Sequence, residues 1–335
     1  MKQRIAIIGA GISGLSLARS LAPLAEVTVF EKARGVGGRM STRYADPFYF
    51  DHGAQFFTAR TPEFKVFLEP FIASGAVAPW EGKVVTLQAG KEEEKRLWFE
   101  PHYVACQNMN SLCKALAGGL RVVTNTEIAP LTARDSNGWR LCDGGDKELG
   151  VFDWVISTAP PAQTQRLFRG HLSDNALHGS AVMQGCYALM LGFRRPWHKK
   201  WIAARLQESP LAWLSVNSTK PGRDAGITCL VAHSSNGWAD AHMDDDMAQA
   251  EAFLIKELRN VSGIDPHEAD YCSLHRWKYA IAEKAAREVH LDPILQLASV
   301  GDWCGGQRIE DAWQASVRLL SALIKLTQPA PTSLR

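Results

Sequence analysis

Several common function classes are excluded by what this 335-residue chain lacks. Its seven cysteines (106, 113, 142, 186, 229, 272 and 304) are odd in number, dispersed and without a Cys-x-x-Cys pair. That pattern fits reduced thiols and not a disulfide framework. No His-Glu-x-x-His motif or Cys/His cluster has metal-ligand spacing, so no metal is expected. No apolar run approaches the ~20 residues that span a bilayer, and the tail from Thr327 to Arg335 is polar and proline-containing. Surplus charge is missing too: the formal net charge is +2 and no basic tract stands out, which argues against a nucleic-acid partner. The longest charge run, Lys91 to Arg96, is mixed in sign and reads as a solvated loop. Met1-Lys2-Gln3-Arg4 leads straight into a strand and a glycine loop that a cleaved leader would destroy, so a cytoplasmic protein without membrane attachment is expected.

The chain is long enough for two domains. Arg4–Ile8 is a continuous apolar run suited to a strand buried on both faces. Ile12, Leu15, Ala18 and Leu21 then form a helical stripe that ends before Pro23, and Val27–Phe30 is a second strand. Further on, Leu120–Thr124, Glu127–Ala133, Trp139–Cys142 and Val151–Ser157 are separated by turn clusters and predict an antiparallel meander. A helix capped near Asp244 should carry Met247, Phe253, Leu254 and Leu258 up to Gly263. Ile294–Val300 reads as a buried strand, followed by a helix with Trp313, Val317, Leu320 and Ile324 on one face.

Gly9-Ala-Gly11-Ile12-Ser13-Gly14 is a Gly-x-Gly-x-x-Gly loop between a strand and a helix. The first glycine permits the tight turn, the second lets backbone approach a diphosphate, and the third lets helix and strand pack closely. The free N–H groups of the helix start favour phosphate. Glu31, 22 residues after Gly9, closes the second strand where a carboxylate can accept from ribose hydroxyls. An acid there disfavours a ribose 2′-phosphate, so FAD or NAD fits and NADP does not.

Two further segments favour FAD. Lys32, Arg34, Gly38, Arg39 and Met40 follow the ribose acid, suited to bringing backbone and guanidinium groups to a diphosphate. Some 270 residues later, Gly301-Asp302 closes a strand and Gly305-Gly306 precedes the last helix. An acid there can hold a sugar alcohol, and a helix start can stabilise negative charge on a reduced flavin. A cofactor long enough to need both ends held is FAD.

The sequence resembles the FAD-dependent amine-oxidase superfamily, and within it the renalase-like branch of bacterial flavoproteins. The resemblance is carried by Ile7–Arg43, Asp51–Phe57, Ser218–Arg223, Val231–Ser234, His275–Ala280 and Gly301–Ser316. It implies an α/β fold: a Rossmann-type, doubly wound FAD-binding domain (1–60, 105–165 and 290–335) with an inserted mixed α+β substrate domain (61–104 and 166–289). It also implies that Gly9, Gly11, Ile12, Ser13, Gly14, Glu31, Lys32, Arg34, Gly38, Arg39 and Met40 meet the adenosine and diphosphate. Ile128, Thr158, Ala159 and Pro160 would lie towards the adenine side, and Ala54, Gln55 and Phe56 beside the flavin ring. Gly301 and Asp302 would hold the ribityl or phosphate region, and Arg308, Ile309 and Ala312 the pyrimidine edge. One departure is Glu310-Asp311-Ala312 where the superfamily's helix often reads Glu-Gly-Ala.

At the reacting end, no Ser/His/Asp set or carboxylate pair presents itself, which suits direct hydride transfer to a non-covalently held flavin. Trp277, Tyr279, His275 and Gln55 are the candidate catalytic residues, with His52 beside them. Lys278 is a candidate for the lysine that some relatives use to hold a water, and Cys304 lies too near the diphosphate contact for a covalent flavin link. Of the tryptophans, Trp197 and Trp201 read as core. The expected activity is oxidation of a small hydride donor with O2 as acceptor and hydrogen peroxide as product. The branch implies misreduced dihydro-NAD(P) isomers as donor, the wider superfamily an amine; a non-catalytic FAD redox module is the remaining alternative.

Overall fold

The computed structural model describes residues 2–172, 181–286 and 288–327, so the end of the polar tail, 328–335, lies outside the described residues. The chain divides into two units, each assembled from separated stretches: residues 1–38, 113–182 and 282–335, and residues 39–112 and 183–281.

The first unit is built on a six-stranded sheet. Its strand order is His290–Asp292, Leu297–Ser299, Trp154–Ser157, Arg4–Ile8, Glu26–Phe30 and Arg121–Val123. All pairings are parallel except that of the edge strand His290–Asp292. Arg4–Ile8 lies at the centre, which is why Ala6 and Ile7 have no polar neighbour in sequence and are fully buried. The helix Ile12–Leu21 buries its expected stripe. A small antiparallel sheet, Arg134–Asp135, Gly138–Cys142 and Glu148–Phe152, joins this unit and packs Trp139, Leu141 and Phe152 with Phe30 and Val155.

Three expectations need correction here. The meander is only these three short strands. Arg121–Val123 and Trp154–Ser157 are parallel members of the main sheet, and Ile128 makes one isolated bridge to Asp143. Apolar runs of this length do not reveal the direction of their partners. The strand before the last helix is shorter, Leu297–Ser299, because Asp292 Oδ1 accepts from the amides of Ile294 and Leu295 (2.9 and 2.8 Å) and forms a turn that leaves Ile294 84% exposed. The last helix, Ile309–Thr327, buries Ala312, Ala315, Leu319 and Leu323, a face one residue away from the expected one, and Val317 is exposed. The small residues on the buried face let this helix lie against Ile12–Leu21, with the Ser13 hydroxyl donating to the Ala312 carbonyl at 2.8 Å.

The second unit is built on a seven-stranded sheet in the order Tyr271–Lys284, Val182–Phe193, Thr228–Ser234, Leu211–Val216, Ala203–Leu206, Val84–Leu87 and Glu94–Arg96. One face packs Tyr187, Leu189, Leu214 and Leu230 under the helix Met247–Ser262, through its Leu254 and Leu258. That helix is capped by Asp246, two residues after the expected position, and ends at Gly263 with φ +66°. The opposite face packs Ala188, Met190 and Val231 against Phe48 and Phe50. These phenylalanines belong to the hairpin Thr42–Ala45/Phe48–Asp51 and place residues 39–60 in the second unit, so the division runs at 38/39 where the sequence suggested 60/61. Trp201 is buried and Trp197 packs beside it, donating to the Trp201 carbonyl (2.8 Å), although their segment is not helical. Among the described residues no helix is long and apolar enough to cross a membrane, and no group of three or more His, Cys, Asp or Glu could hold a metal ion.

Candidate functional site

In the first unit the glycine loop brings bare backbone up to an open space. Gly9 has φ +112°, and a Cβ there would stand 2.4 Å from the Thr158 hydroxyl. A Cβ on Gly14 would stand 2.1 Å from the Gly9 carbonyl oxygen. At Gly11, by contrast, a Cβ would meet nothing within 4 Å, so this backbone faces open space. Gly38 comes alongside it, 3.5 Å from the Gly11 Cα measured from where a Cβ would be, and the Gly37 amide donates to the Ala10 carbonyl (2.9 Å). Two glycine segments therefore border one space at the start of the Ile12–Leu21 helix, a fit for a diphosphate.

Around this cradle the side chains chiefly support backbone. Glu31 accepts from the Ala10 amide with Oε2 (2.8 Å) and from the Ala33 amide with Oε1 (2.9 Å), leaving a further lone pair on each oxygen. Thr158 donates to the Ile8 and Gly9 carbonyls (both 3.1 Å). Ile12 and Ile128 are core residues, while Lys32 and Arg34 are exposed, Lys32 within 3.5 Å of Gln163 Oε1. Ala159 accepts from the Trp303 indole (3.2 Å), and Pro160 precedes the short helix Pro161–Leu167.

Late in the sequence of this unit, the Asp302 carbonyl accepts from the Gly305 and Gly306 amides (both 2.8 Å), bending Gly301–Gly306 ahead of the last helix. Asp311 is the unexpected participant. Its Oδ2 accepts from the Gln307 and Arg308 amides (both 2.9 Å) and from Arg308 Nε (3.3 Å), so the departure from the superfamily pattern caps this chain's own helix. Burial pushes the Cys304 thiol up to about 12, which removes it as a nucleophile.

The candidate catalytic residues lie in the second unit. His275, Trp277 and Tyr279 alternate along Tyr271–Lys284 and so share one face of that strand, whereas Lys278 is on the other face and exposed. Trp277 stacks on His52 with ring centroids 5.1 Å apart, and His275 meets both rings edge-on at 4.5 and 4.8 Å. The His52 carbonyl binds the Trp277 indole N–H (2.9 Å) and His233 Nε2 (3.0 Å). Arg43 Nη2 stands 3.5 Å from His275 Nδ1. Burial, then the neighbouring positive charges, lower His52 to about 3 and His275 to about 4; His233, buried near Lys220, is also lowered to about 4. These imidazoles are neutral at physiological pH. His52 Nδ1 is buried without a hydrogen-bond partner.

Gln55 connects to a set that sequence reasoning missed. Asp51, Lys220 and Arg223 have side chains 0%, 0% and 4% exposed, with Lys220 Nζ 3.2 Å and Arg223 Nη2 2.6 Å from the same Asp51 oxygen. Lys220 also donates to Gln55 Oε1 (3.4 Å). Burial pushes the Asp51 carboxyl up, but the two cations outweigh this and hold it at about 2. Phe56 lies in a second missed group, its ring 4.4 to 6.5 Å from those of Trp80, Trp98, His102 and Trp213. Ala54 and Met40 complete the segment: the Ala54 amide donates to the Arg39 carbonyl (2.8 Å), and Met40 is buried. Arg39 itself donates to the Ala280 carbonyl (3.1 Å). Buried basic residues next to a turn could have been suspected from Ser218–Arg223, but nothing local in sequence names Asp51 as their partner.

Residues 7–71 match the profile of an NAD(P)-binding Rossmann-like domain, and residues 83–318 that of flavin containing amine oxidoreductase. The 4,4'-diapophytoene desaturase (4,4'-diaponeurosporene-forming) of Staphylococcus aureus (strain Newman) is 51% identical over 51 residues, 15% of this chain. That stretch is only 10% of the desaturase. Cyclohexylamine oxidase from Brevibacterium oxydans IH-35A superposes with a TM-score of 0.74 at 14% identity, covering 98% of this chain and 100% of the oxidase. A reduced UDP-galactopyranose mutase superposes with a TM-score of 0.75 at 11% identity, over 98% of this chain and 95% of the mutase. Such distant likenesses establish a shared fold, and an oxidase and a mutase on one fold show that the fold does not select the reaction. The profile over 83–318 spans most of the sequence, and the cradle fits its cofactor, FAD: the chain belongs to the flavin-containing amine oxidoreductase family and is an FAD-dependent oxidoreductase.

Proposed function

We propose that this enzyme oxidises a planar, uncharged or anionic hydride donor of the dihydronicotinamide type, a misreduced isomer of NAD(P)H, with O2 as the final acceptor and hydrogen peroxide as product. The observation that carries this reading is the charge around Trp277. Arg43, two lowered imidazoles and an indole gather there, and the nearby carboxylate, Asp51, is already engaged by Lys220 and Arg223. Such a surface favours stacking by a flat ring, and Arg43, the positive charge beside the neutral imidazoles, disfavours an ammonium ion.

Bound FAD supplies the hydride acceptor and the route to O2. The chain's own residues bind and orient. The Gly9–Gly14 and Gly37–Gly38 segments hold the diphosphate, with Glu31 accepting from the ribose. Lys32, Arg34, Arg39, Ile128, Thr158–Pro160, Asp302, Arg308 and Ile309 keep the cofactor roles that the resemblance implies, and Ala54, Gln55 and Phe56 the flavin-ring side. Trp277 offers its face to the donor, His275 and Tyr279 orient the donor's polar groups, and no side chain has to remove a proton.

Amine oxidation is the second reading. It is favoured by the rings of Phe56, Trp80, Trp98 and Trp213, since aromatic faces attract cations. Anaerobic mixing of the purified holoenzyme with misreduced dihydronicotinamides, NADH and a panel of primary amines separates the two. Loss of the flavin's blue absorbance with the isomers alone supports the proposal; bleaching by amines alone rejects it in favour of the second reading.

A further inference from the structure

Lys220 follows the turn Asn217–Thr219 at the end of the Leu211–Val216 strand. Two features fix its course. Asn217 Nδ2 donates to the Tyr49 carbonyl (2.9 Å), tying the turn to the Phe48–Asp51 strand. Gly222 has φ +77° and no room for a Cβ, which would stand 2.7 Å from the Gln107 amide nitrogen. The chain thus doubles back so that both Lys220 and Arg223 reach Asp51.

Asp51 is saturated there. Oδ1 accepts from the Thr42 hydroxyl (2.8 Å) and the Met109 amide (2.9 Å), and Oδ2 from the two cations. Arg223 is further held by the Ala105 and Pro221 carbonyls (2.6 and 2.7 Å). Among the described residues, Lys220 Nζ has Asp51, the Gln55 amide oxygen and the face of Trp80, 5.4 Å from Nζ to the ring centroid. One carboxylate facing two cations leaves, among the described residues, a net positive charge in a buried interior. Burial of that kind is costly, and hydrophobic residues could have filled the same volume.

Gln55 shows what the charge holds. With its oxygen taken by Lys220, its Nε2 must face inward, where it donates to the Asp51 carbonyl and, at 3.0 Å, to the Gly53 carbonyl. Gly53 is itself pressed against Arg39, a Cβ there falling 1.9 Å from the Arg39 carbonyl oxygen. The turn 51–55 is therefore set by one amide whose orientation is set by one ammonium.

We propose that Lys220 is a positioning residue for the oxidation: in its protonated state it orients Gln55 and the Asp51–Gln55 turn and supplies a fixed positive charge that favours reduction of the cofactor. This rests on the reading that Ala54–Phe56 meets the flavin ring. Burial lowers Lys220, and the pull of Asp51 restores part of the loss, leaving it at about 8. The titratable and charged groups facing it are Asp51, Arg223 and His233. Between pH 7 and 9 Lys220 changes charge while Asp51 and His233, held at about 2 and about 4, do not.

The test is the pH dependence of anaerobic flavin reduction, together with the midpoint potential of the bound flavin read by photoreduction against a reference dye, in the wild type, Lys220→Arg and Lys220→Met. The wild-type rate should decline above an apparent pKa near 8. Lys220→Arg should keep the rate through pH 9, and Lys220→Met should be slow and flat across the range. In Lys220→Met the oxidised form should be favoured about tenfold, which for a two-electron couple is about 30 mV. A decline near pH 8 that survives in Lys220→Arg, or a potential unchanged in Lys220→Met, overturns the proposal. The potential needs no natural donor, so it reports on Lys220 even if every candidate donor fails. If Lys220→Met does not fold, the arginine variant's pH profile decides.

Discussion

The indole N–H of Trp277 donates to the carbonyl of His52, 2.9 Å away, while the two rings of these residues stack with centroids 5.1 Å apart. A residue from the edge strand of the large sheet and one that follows the Thr42–Asp51 hairpin thus act as a single aromatic wall, locked both through backbone and through ring faces.

That wall separates a binding role from a structural one. Trp277→Phe keeps an aromatic face but loses the donor; with His233 still bonded to the His52 carbonyl, stability should fall by about 1 kcal/mol. Trp277→Ala removes the face and should raise KM for the hydride donor about tenfold or more with flavin content unchanged. Steady-state kinetics beside the flavin absorbance of the purified variant checks both.

The buried imidazoles predict acid lability. His52, His233 and His275 have folded-state pKa values of about 3, 4 and 4, against 6.5 when unfolded. The unfolded chain therefore binds more protons, so stability is complete above about pH 6.5 and is lost as pH falls towards 4. The slope should approach about 1.4 kcal/mol per pH unit for each of His52 and His233, and less for the half-buried His275. Urea midpoints measured from pH 7.5 to 5 would show it; a flat profile would mean that these rings take up protons in the fold as readily as in the unfolded chain.

Gly11 and Gly14 should fail in different ways. Gly14→Ala forces a methyl group into the Gly9 carbonyl and should destabilise the apoprotein itself. Gly11→Ala has space in the protein, so the melting temperature of the apoprotein should be nearly unchanged while FAD affinity drops at least tenfold. Thermal melts with and without FAD distinguish the two.

Asp51→Asn leaves two buried cations without a carboxylate and should cost about 3–5 kcal/mol. Adding Lys220→Met to it removes one of those charges and should recover part of the loss. Denaturant unfolding of the two single variants and the double variant gives the coupling; strict additivity would argue that the pair does not interact.

Asp311→Ala removes the acceptor of the Gln307 and Arg308 amides just ahead of the last helix and should cost about 1 kcal/mol. Calorimetry of the apoprotein is sufficient to test it.

What could be read from the sequence was local. Gly9–Gly14 and Glu31 occupy the loop and strand end that their spacing dictated, and Ile12–Leu21 buries the expected stripe; Met247–Ser262 is a helix ending at Gly263 as expected, but it starts from Asp246 and leaves Phe253 exposed. The errors came where partners are remote. The face of Ile309–Thr327 is decided by Ala312 and Ala315 lying against a helix some 300 residues earlier, and the larger apolar residues of the same helix suggested another face. The Asp51–Lys220–Arg223 set joins residues about 170 positions apart, and no periodicity connects them. His275 and Trp277 were found through a resemblance, since a histidine two residues before a tryptophan has no spacing rule of its own.

The hydrogen bond from Ser13 to Ala312, 299 residues apart, has a consequence during synthesis. The Gly9–Gly14 loop is translated well before the helix that braces it, and Leu297–Ser299 must still pair with Trp154–Ser157. The loop thus waits through the synthesis of the intervening residues before its supports arrive. FAD capture should therefore follow synthesis of the Ile309–Thr327 helix, with the second unit's largely intervening residues folding while the first unit waits.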